Sequence, residues 1–419
     1  MNSGRLVAGI TLGVLTGFGA EFQHEFAQPS RDRWMYPFNA TPGTRAAAPV
    51  FSTFGDEAGV DTRHGQFLIG WDTEEAVPPG HPRAHYWITA ARLELTVLRP
   101  DSFIHDPTPD PFESGLPPED PRAIPDPDPG RPIELFGAGF RNEFTAWTFE
   151  ESSPFGPAST GRRNAFAAGF NPARQRVDVG NNVGKTNEAY SPFPTRPFAI
   201  GIVTDVAAGD PVPAGATVRF DVNVADPDVR GYLQESLRSG RLWLTVTWLG
   251  ESSGLSGTPT YPDFATRDNL VYDPPRLTIE GVLIGPDDDD EDGLPDDWER
   301  LFLGGRDSTG DDDSDGDGVN NITEWLQGTD PGSDRSVLRI QPQPAVADSG
   351  PGLAITDDGP GAPVVEVSTD LKEWREATGR LEFLEPRNGH WIPDSESVEP
   401  VQFFRLRRPD PEPESPTTP

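Results

Sequence analysis

The feature that most constrains this chain is residues 287–330, where acidic side chains recur twice at the same fixed spacing. The pattern Asp-x-Asp-x-Asp-Gly-x5-Glu occupies residues 288–299 and again residues 313–324. A loop of about twelve residues with this spacing surrounds one hard cation with carboxylate and carbonyl oxygens, and its glycine makes the sharp turn. The sequence therefore predicts two calcium-binding loops in tandem.

The predicted ligands come from loop positions 1, 3, 5, 7, 9 and 12. In the first loop they are Asp288, Asp290, Asp292, the carbonyl of Leu294, Asp296 directly or through water, and Glu299. In the second loop they are Asp313, Asp315, Asp317, the carbonyl of Val319, Asn321 and Glu324. We expect two calcium ions.

Other counting frames fit less well. A loop that starts at Asp287 has Asp292 at the glycine position, and a loop that starts at Asp311 has Asn321 and Ile322 at its last two positions, neither of which is a good bidentate ligand. A solvated acidic linker is the alternative interpretation, because blocks of like charge usually stay in water. That alternative does not predict the apolar residues at i, i+3 and i+4 after each loop, which indicate short amphipathic helices: Trp298, Leu301, Phe302, Ile322, Trp325 and Leu326.

Composition limits the possible partners and the fold class. The chain has 419 residues, 47 of them Pro and 44 Gly, which favours two or three domains rich in strands and turns. It has no cysteine, so disulfides and thiolate metal sites are excluded. The net charge of −34 argues against nucleic acid or an anionic membrane as a partner, because both are polyanions.

The N-terminus indicates secretion. Residues 1–20 combine Arg5, an apolar run and the small residues Gly19 and Ala20, which is the arrangement of a signal peptide. A disordered or buried N-terminus is the alternative. No other stretch approaches about 18 uninterrupted apolar residues, so we expect an extracellular or cell-surface protein whose mature chain does not span a membrane.

The pattern predicts a mainly β fold with three modules. Residues 28–285 alternate apolar and polar side chains in several segments, which predicts a large antiparallel β-sandwich or jelly roll with one short helix at residues 226–237. Residues 107–132 are dense in proline and aspartate and predict a long exposed loop within that module. The two calcium loops with their short helices occupy residues 286–332. Residues 336–409 predict a small C-terminal β-sandwich, and residues 410–419 a disordered tail.

Several segments resemble known families. The order ARLELTVL, TVRFDVNV, RLWLTVTWL and PPRLTIE resembles the jelly-roll modules called DNRLRE or carbohydrate-binding-like domains, and RDRWMYPFNATPGT resembles the front of secreted proteins of planctomycete and verrucomicrobial type. The first likeness implies polysaccharide binding or a surface filament. The Ser368, Asp370, Leu371 and Trp374 signature, with a closing strand at residues 404–407, resembles a small C-terminal sandwich of secreted bacterial proteins.

The acidic pair resembles the loops of thrombospondin type-3 repeats and dockerins more than a calmodulin-type EF-hand. Pro286 and a strand-like segment, rather than a helix, precede the first loop. Position 8 holds Pro295 and Asn320, where paired EF-hands usually carry a branched apolar residue. We therefore expect a structural joint that does not open and close as a sensor does.

The sequence carries no catalytic motif. There is no Gly-x-Ser-x-Gly, and His81 and His85 flank a proline that argues against a helical metal site, so we expect surface histidines. The first hypothesis is a non-enzymatic structural or adhesion protein in which calcium stiffens the joint between two β-modules. A module that binds extracellular polysaccharide, or a contact with another surface protein, is the alternative. A glycoside hydrolase or polysaccharide lyase ranks third.

Overall fold

The computed structural model describes residues 19–52, 65–116, 120–156, 163–179, 193–250, 260–343, 352–357, 359, 362–369, 371–383, 388–393 and 402–407. Most of the predicted signal peptide and all of the predicted tail lie outside these residues. Within them the protein is mainly β, with several antiparallel sheets, as predicted. The finer prediction of sandwiches and a jelly roll stays a prediction.

The large N-terminal module contains two main sheets and a two-stranded one. Its strands are β1 (Ala20–Phe26), β2 (Arg31–Met35), β3 (Ala47–Pro49), β4 (Gln66–Asp72), β5 (Tyr86–Thr96), β6 (Ile133–Phe140), β7 (Ala165–Phe170), β8 (Arg176–Asp178), β9 (Ala199–Ile200), β10 (Thr217–Asp221), β11 (Arg241–Trp248), β12 (Asp263–Ala265) and β13 (Arg276–Leu283). One sheet has the order β1-β13-β5-β10. The other has the order β2-β4-β11-β6-β7-β8, with β9 paired to β6, and β12 pairs with β3.

One hydrophobic core takes side chains from both main sheets. Leu93 and Leu95 of β5 belong to the same buried cluster as Leu242 and Leu244 of β11. Strand β11 is buried along its whole length because a second cluster, which includes Trp243, covers its other face. Burial on both faces explains why β11 contains so few polar residues.

A single long helix packs against this module. Helix α1 (Pro227–Ser239) begins after Asp226, whose side chain accepts hydrogen bonds from the amides of Asp228 and Val229. It ends at Gly240, which has a φ of 81°. The N-terminal cap and Pro227 at the first helical position are the features that predicted this helix.

Strand β1 was missed by the sequence interpretation. It lies between the predicted signal peptide and the predicted start of the module at residue 28, and it pairs with β13 over its full length. In contrast, residues 107–132, predicted as an exposed loop, are partly buried where the structure describes them, and a 3-10 helix spans Phe112–Gly115. Ser114 and Leu116 are 8% and 6% exposed, and Arg131 donates to the hydroxyl and carbonyl oxygens of Ser114 at 2.7 and 2.9 Å.

The C-terminal module contains two further antiparallel sheets. Its strands are β14 (Arg339–Gln343), β15 (Gly352–Thr356), β16 (Val364–Ser368), β17 (Arg375–Glu376), β18 (Gly379–Phe383), β19 (Asn388–Pro393) and β20 (Phe403–Arg407). The sheets have the orders β14-β15-β19-β18 and β17-β16-β20. In the predicted signature, the Ser368 hydroxyl accepts from the Leu371 amide at 2.9 Å, whereas Asp370 lies outside the described residues.

The two β-modules contact each other directly. Arg174, in the turn between β7 and β8, is buried and bonds Asp228 of α1 through both Nε and Nη2 at 2.8 to 3.0 Å. Its guanidinium also donates to the carbonyl of Gly359 at 2.7 Å and lies 4.8 Å from the ring centre of Phe383 in β18. Elsewhere, the described part of the chain offers no helix long and apolar enough to cross a bilayer.

Candidate metal centre

The acidic segment starts where the large module ends. The amide of Ile284, directly after β13, donates to the carbonyl of His85 at 2.8 Å, and Nδ1 of His85 donates to the carbonyl of Ile284 at 2.7 Å. His85 is therefore buried rather than a surface residue, because its ring completes this backbone pairing. The next amide, that of Gly285, donates to the Asp297 carboxylate at 2.8 Å. The first loop is thus fastened at both ends to the sheet.

The two acidic loops have the same backbone conformation at the turn. Gly293 and Gly318 at position 6 both have a φ of 95°. Their amides donate to Oδ2 of the position-1 residues Asp288 and Asp313 at 3.0 and 2.9 Å. A positive φ of this size favours glycine, which explains the glycine at position 6 of each loop.

Both loops also have the same hydrogen bond between positions 5 and 7. The amide of Leu294 donates to Oδ1 of Asp292 at 2.9 Å, and the amide of Val319 donates to Oδ1 of Asp317 at 2.8 Å. These bonds turn the position-5 carboxylates inwards. Whether the position-7 carbonyls of Leu294 and Val319 bind a cation stays a prediction.

The side chains at positions 1, 3 and 5 come together in both loops. In each loop one carboxylate oxygen from each residue lies within 4.8 Å of the other two, and the groups are Asp288, Asp290, Asp292 and Asp313, Asp315, Asp317. Carboxylates this close repel one another unless a cation or protons lie between them. The arrangement is an all-oxygen donor set, which suits a hard divalent cation.

The position-12 glutamates face these groups from the first turn of a helix. Glu299 lies in α2 (Asp296–Phe302) and Glu324 in α3 (Asn321–Gln327), and both residues are 0% exposed. Both carboxylate oxygens of Glu299 and Oε2 of Glu324 are buried without a hydrogen-bond partner in the described structure. A buried carboxylate without a partner is costly, so these atoms fit the place of a bidentate cation ligand.

The electrostatic environment of Glu299 and Glu324 also fits the place of a cation ligand. Burial and the carboxylates of Asp290 and Asp292 raise the pKa of Glu299 to about 7. Burial and the carboxylate of Asp315 raise the pKa of Glu324 to about 8. Both glutamates therefore face like charges in a poorly solvated place, and a bound cation would reverse this tendency.

The position-9 residues differ between the loops. Asp296 is 3% exposed, and Arg306 and Arg300 hold its Oδ2 at 2.7 and 3.2 Å. It is not part of the convergent group, and its role as a ligand, directly or through water, stays a prediction. Asn321 is 0% exposed, donates through Nδ2 to the Thr309 carbonyl at 3.0 Å, and leaves its Oδ1 without a partner in the described structure.

The two loops form a pair through apolar side chains. Trp298 of α2 and Trp325 of α3 meet edge to face with ring centres 5.9 Å apart. Ile322 packs into the same cluster, and its amide donates to the Gly310 carbonyl at 3.0 Å. In turn, the amide of Gly310 donates to the Asp292 carboxylate of the first loop at 2.6 Å. The loops therefore pair although Pro295 and Asn320 stand at position 8, where paired EF-hands usually carry a branched apolar residue.

The tryptophan pair also docks on the large module. Trp325 lies against the His85 ring at 5.2 Å, and Trp87 of β5 meets Phe302 at 4.7 Å. Leu301 and Leu326 were predicted to join this face but are 42% and 74% exposed. A helix of two turns has room to bury only part of its apolar side.

Some contributors were missed by the sequence interpretation. Arg306 bonds both Asp289 and Asp296, and Thr329 donates to Oε1 of Glu324 at 3.2 Å. Neither belongs to the ligand spacing, so only the folded loop identifies them. No family model, no curated protein and no solved structure matches this chain, and the resemblances noted above stay predictions.

Proposed function

We propose that this chain is a secreted, non-enzymatic structural or adhesion protein whose two acidic loops bind calcium and stiffen the joint between the β-modules. The observation that carries the proposal is the burial of Glu299 and Glu324 with carboxylate oxygens that have no partner in the described residues. Two carboxylates of the convergent group act electrostatically on each glutamate, Asp290 and Asp292 on Glu299 and Asp315 and Asp317 on Glu324. Together they supply the charge and the number of oxygens that calcium prefers.

The proposed ions would act on both sides of the joint. On one side, Asp297 of α2 holds the Gly285 amide at the end of the large module. On the other, Arg339 of β14 donates to the carbonyl of Asp317 in the second loop at 2.8 Å. Calcium in each loop would remove the repulsion between its carboxylates. It would thereby hold the Asp297 contact to the large module and the Arg339 contact to the C-terminal module in place together. Extracellular calcium modules work at dissociation constants of about 10⁻⁴ to 10⁻³ M.

A calcium titration of the full chain tests this proposal. We expect a change in tryptophan emission from Trp298 and Trp325, together with binding heat for one ion at each acidic loop. Asp288→Ala combined with Asp313→Ala should abolish the emission change and the heat of these two ions. The matched control is Glu291→Gln with Asp311→Asn, which removes two negative charges from exposed positions of the same segment. Unchanged emission and no heat through millimolar calcium would refute the proposal.

Polysaccharide binding is the second candidate. Its support is Trp147, which is 43% exposed and has the Arg241 guanidinium 4.0 Å from its ring centre. Trp34 and Trp71, which could also have stacked on a sugar, are buried in the core at 8% and 0% exposure. A glycan array with the full chain in calcium, compared with Trp147→Ala, tests it. Binding that does not depend on Trp147 would count against this surface.

A further inference from the structure

A third group of carboxylates lies in the proline-rich loop, far along the chain from the two acidic loops. Asp106 and Asp110 stand at the start of this loop and Asp128 near its end, and one carboxylate oxygen from each lies within 4.8 Å of the other two. The two ends of the loop meet here, since a Cβ on Gly130 would lie 3.0 Å from the Cβ of Asp106. No repeated spacing marks this group in the sequence.

Two of these carboxylates are buried, and each has one oxygen without a hydrogen-bond partner in the described structure. Asp106 is 4% exposed, and its Oδ2 has no hydrogen-bond partner in the described structure. The side chain of Asp110 is 5% exposed, and its Oδ1 is likewise buried and without a partner there. Native proteins rarely leave such atoms unpaired unless an ion or water occupies the space between them.

The polar neighbours supply too few protons and too little positive charge. The single hydroxyl proton of Thr108 stands between Oδ1 of Asp106 at 2.8 Å and Oδ2 of Asp128 at 3.0 Å, so one of these contacts lacks a hydrogen. Arg131 pairs with Asp110 and, at 3.2 Å, with Asp126. Arg131 thus pairs with two of the four carboxylates, and no salt bridge to Asp106 or Asp128 is seen among the described residues.

The neighbouring histidine, His105, offers no free ring nitrogen as a metal ligand. His105 is buried, its Nδ1 donates to the carbonyl of Val206 at 2.8 Å, and its Nε2 accepts from the amide of Val203 at 3.1 Å. Both ring nitrogens are thus used by the backbone. The remaining donors are oxygens, which select a hard cation such as calcium over zinc or copper.

We infer that Asp106, Asp110 and Asp128 form a third divalent-cation site, which clasps the two ends of the proline-rich loop. A cation there would join residues at the start and end of the loop and hold it against the large module, to which Arg131 is already tied by a hydrogen bond from Trp248 Nε1 to its carbonyl at 2.9 Å. The site is independent of the two acidic loops.

Hydrogen exchange of the full chain, with and without calcium, tests this inference locally. At calcium about tenfold above its dissociation constant, peptides from residues 106–131 should exchange about tenfold more slowly, because binding favours the closed state. Asp106→Asn combined with Asp128→Asn should remove this protection and lower the calcium bound per chain by one ion. Asp120→Asn should keep it, because Asp120 contacts Arg122 in the same loop and lies outside the carboxylate group.

Peptides from β11 serve as a folding check, since they should exchange alike in all variants. Equal exchange of residues 106–131 with and without about 10 mM calcium, well above the affinity range of extracellular sites, would overturn the inference. So would protection that survives the double substitution. Loss of calcium binding in the two acidic loops alone would refute the proposed function and leave this site standing.

Discussion

Nη1 of Arg174 lies 2.6 Å from Oδ2 of Asp357, and neither side chain is exposed to solvent. This contact joins the turn after β7 to the segment after β15, and the same guanidinium is shared with Asp228. The buried arginine hydrogen-bonds to both buried aspartates, and Arg196 adds a second positive charge next to Asp228. Arg174 thus makes the charged contact between the two β-modules, beside a backbone hydrogen bond from Phe383 to Pro172.

Replacing Arg174 with Met should be strongly destabilising. It keeps most of the side-chain length but removes the guanidinium that Asp228 and Asp357 share, and removing one partner of a buried ion pair costs about 3–5 kcal/mol. Urea unfolding measures the change. Arg92→Met is the control, because Arg92 pairs with Asp221 at the surface, where both side chains are 49% exposed, and such pairs contribute about 1 kcal/mol or less. An equal effect of the two substitutions would contradict the role assigned to Arg174.

Glu299→Gln should weaken one calcium site and leave the other. Glutamine offers one neutral oxygen in place of two charged ones, so we expect affinity at the first loop to fall by about tenfold or more. Calorimetry of the full chain should then show weaker binding of one ion, while the ion at the second loop is retained. Glu291→Gln makes the same chemical change at an exposed position of the same loop and should bind as the unmodified chain does. If both variants lose the same affinity, Glu299 is not a ligand.

The two position-6 glycines should respond differently to alanine. Both have a φ of 95°, so each substitution costs about 1–2 kcal/mol in backbone strain. A Cβ on Gly293 would lie 2.7 Å from Cδ1 of Ile322, whereas a Cβ on Gly318 meets nothing within 4 Å. Gly293→Ala should thus cost about 1 kcal/mol more than Gly318→Ala. Adding Ile322→Val, which deletes the clashing methyl, should remove much of that difference in thermal unfolding.

Asp32 should make stability depend on pH. Burial, with Glu151 and Asp268 nearby, raises its pKa from 3.8 to about 7 despite the hydrogen bond from the Arg267 amide. Because the folded pKa lies above the unfolded one, this group's contribution is fully present below about pH 4 and is lost as the pH rises through about 7. Asp32→Asn should therefore gain stability relative to the unmodified chain at pH 8, on the order of 2 kcal/mol.

Urea midpoints at pH 5 and pH 8 measure this effect. The control is Asp221→Asn, which removes one carboxylate from an exposed ion pair and accounts for the change in overall charge. If the difference between Asp32→Asn and the unmodified chain is the same at both pH values, the carboxyl of Asp32 does not titrate in this range.

The acidic loops could be predicted because their chemistry is local. The aspartates at fixed spacing, the turn glycine and the start of the short helix lie within about twelve residues, so residues close in the sequence are also close in space. Helix α1 was predictable for the same reason, from its cap at Asp226. Strand β7 (AFAAGF) was not, because it is buried on both faces and shows no alternation of apolar and polar residues.

The contacts that organise the rest of the protein are long-range. Arg174 and Asp357 are 183 residues apart in the chain. The Asp106, Asp110 and Asp128 group lies in a proline-rich stretch whose composition predicts exposure. In both cases a single charged residue among many carries no periodic signal, and only the fold determines its partner.

The pairing of β1 with β13 has a consequence for how copies of this protein meet. Strand β1 hydrogen-bonds to one side of β13 while β5 occupies the other. A shortened chain that begins at Gln28, the predicted start of the module, would turn β13 into an open edge. Unpaired amides and carbonyls in a row can recruit a strand from another molecule, which is the usual beginning of aggregation through sheets. The segment Ala20–Phe26 thus replaces that edge with its own, on which Glu21 and Glu25 place negative charges that disfavour the addition of another strand.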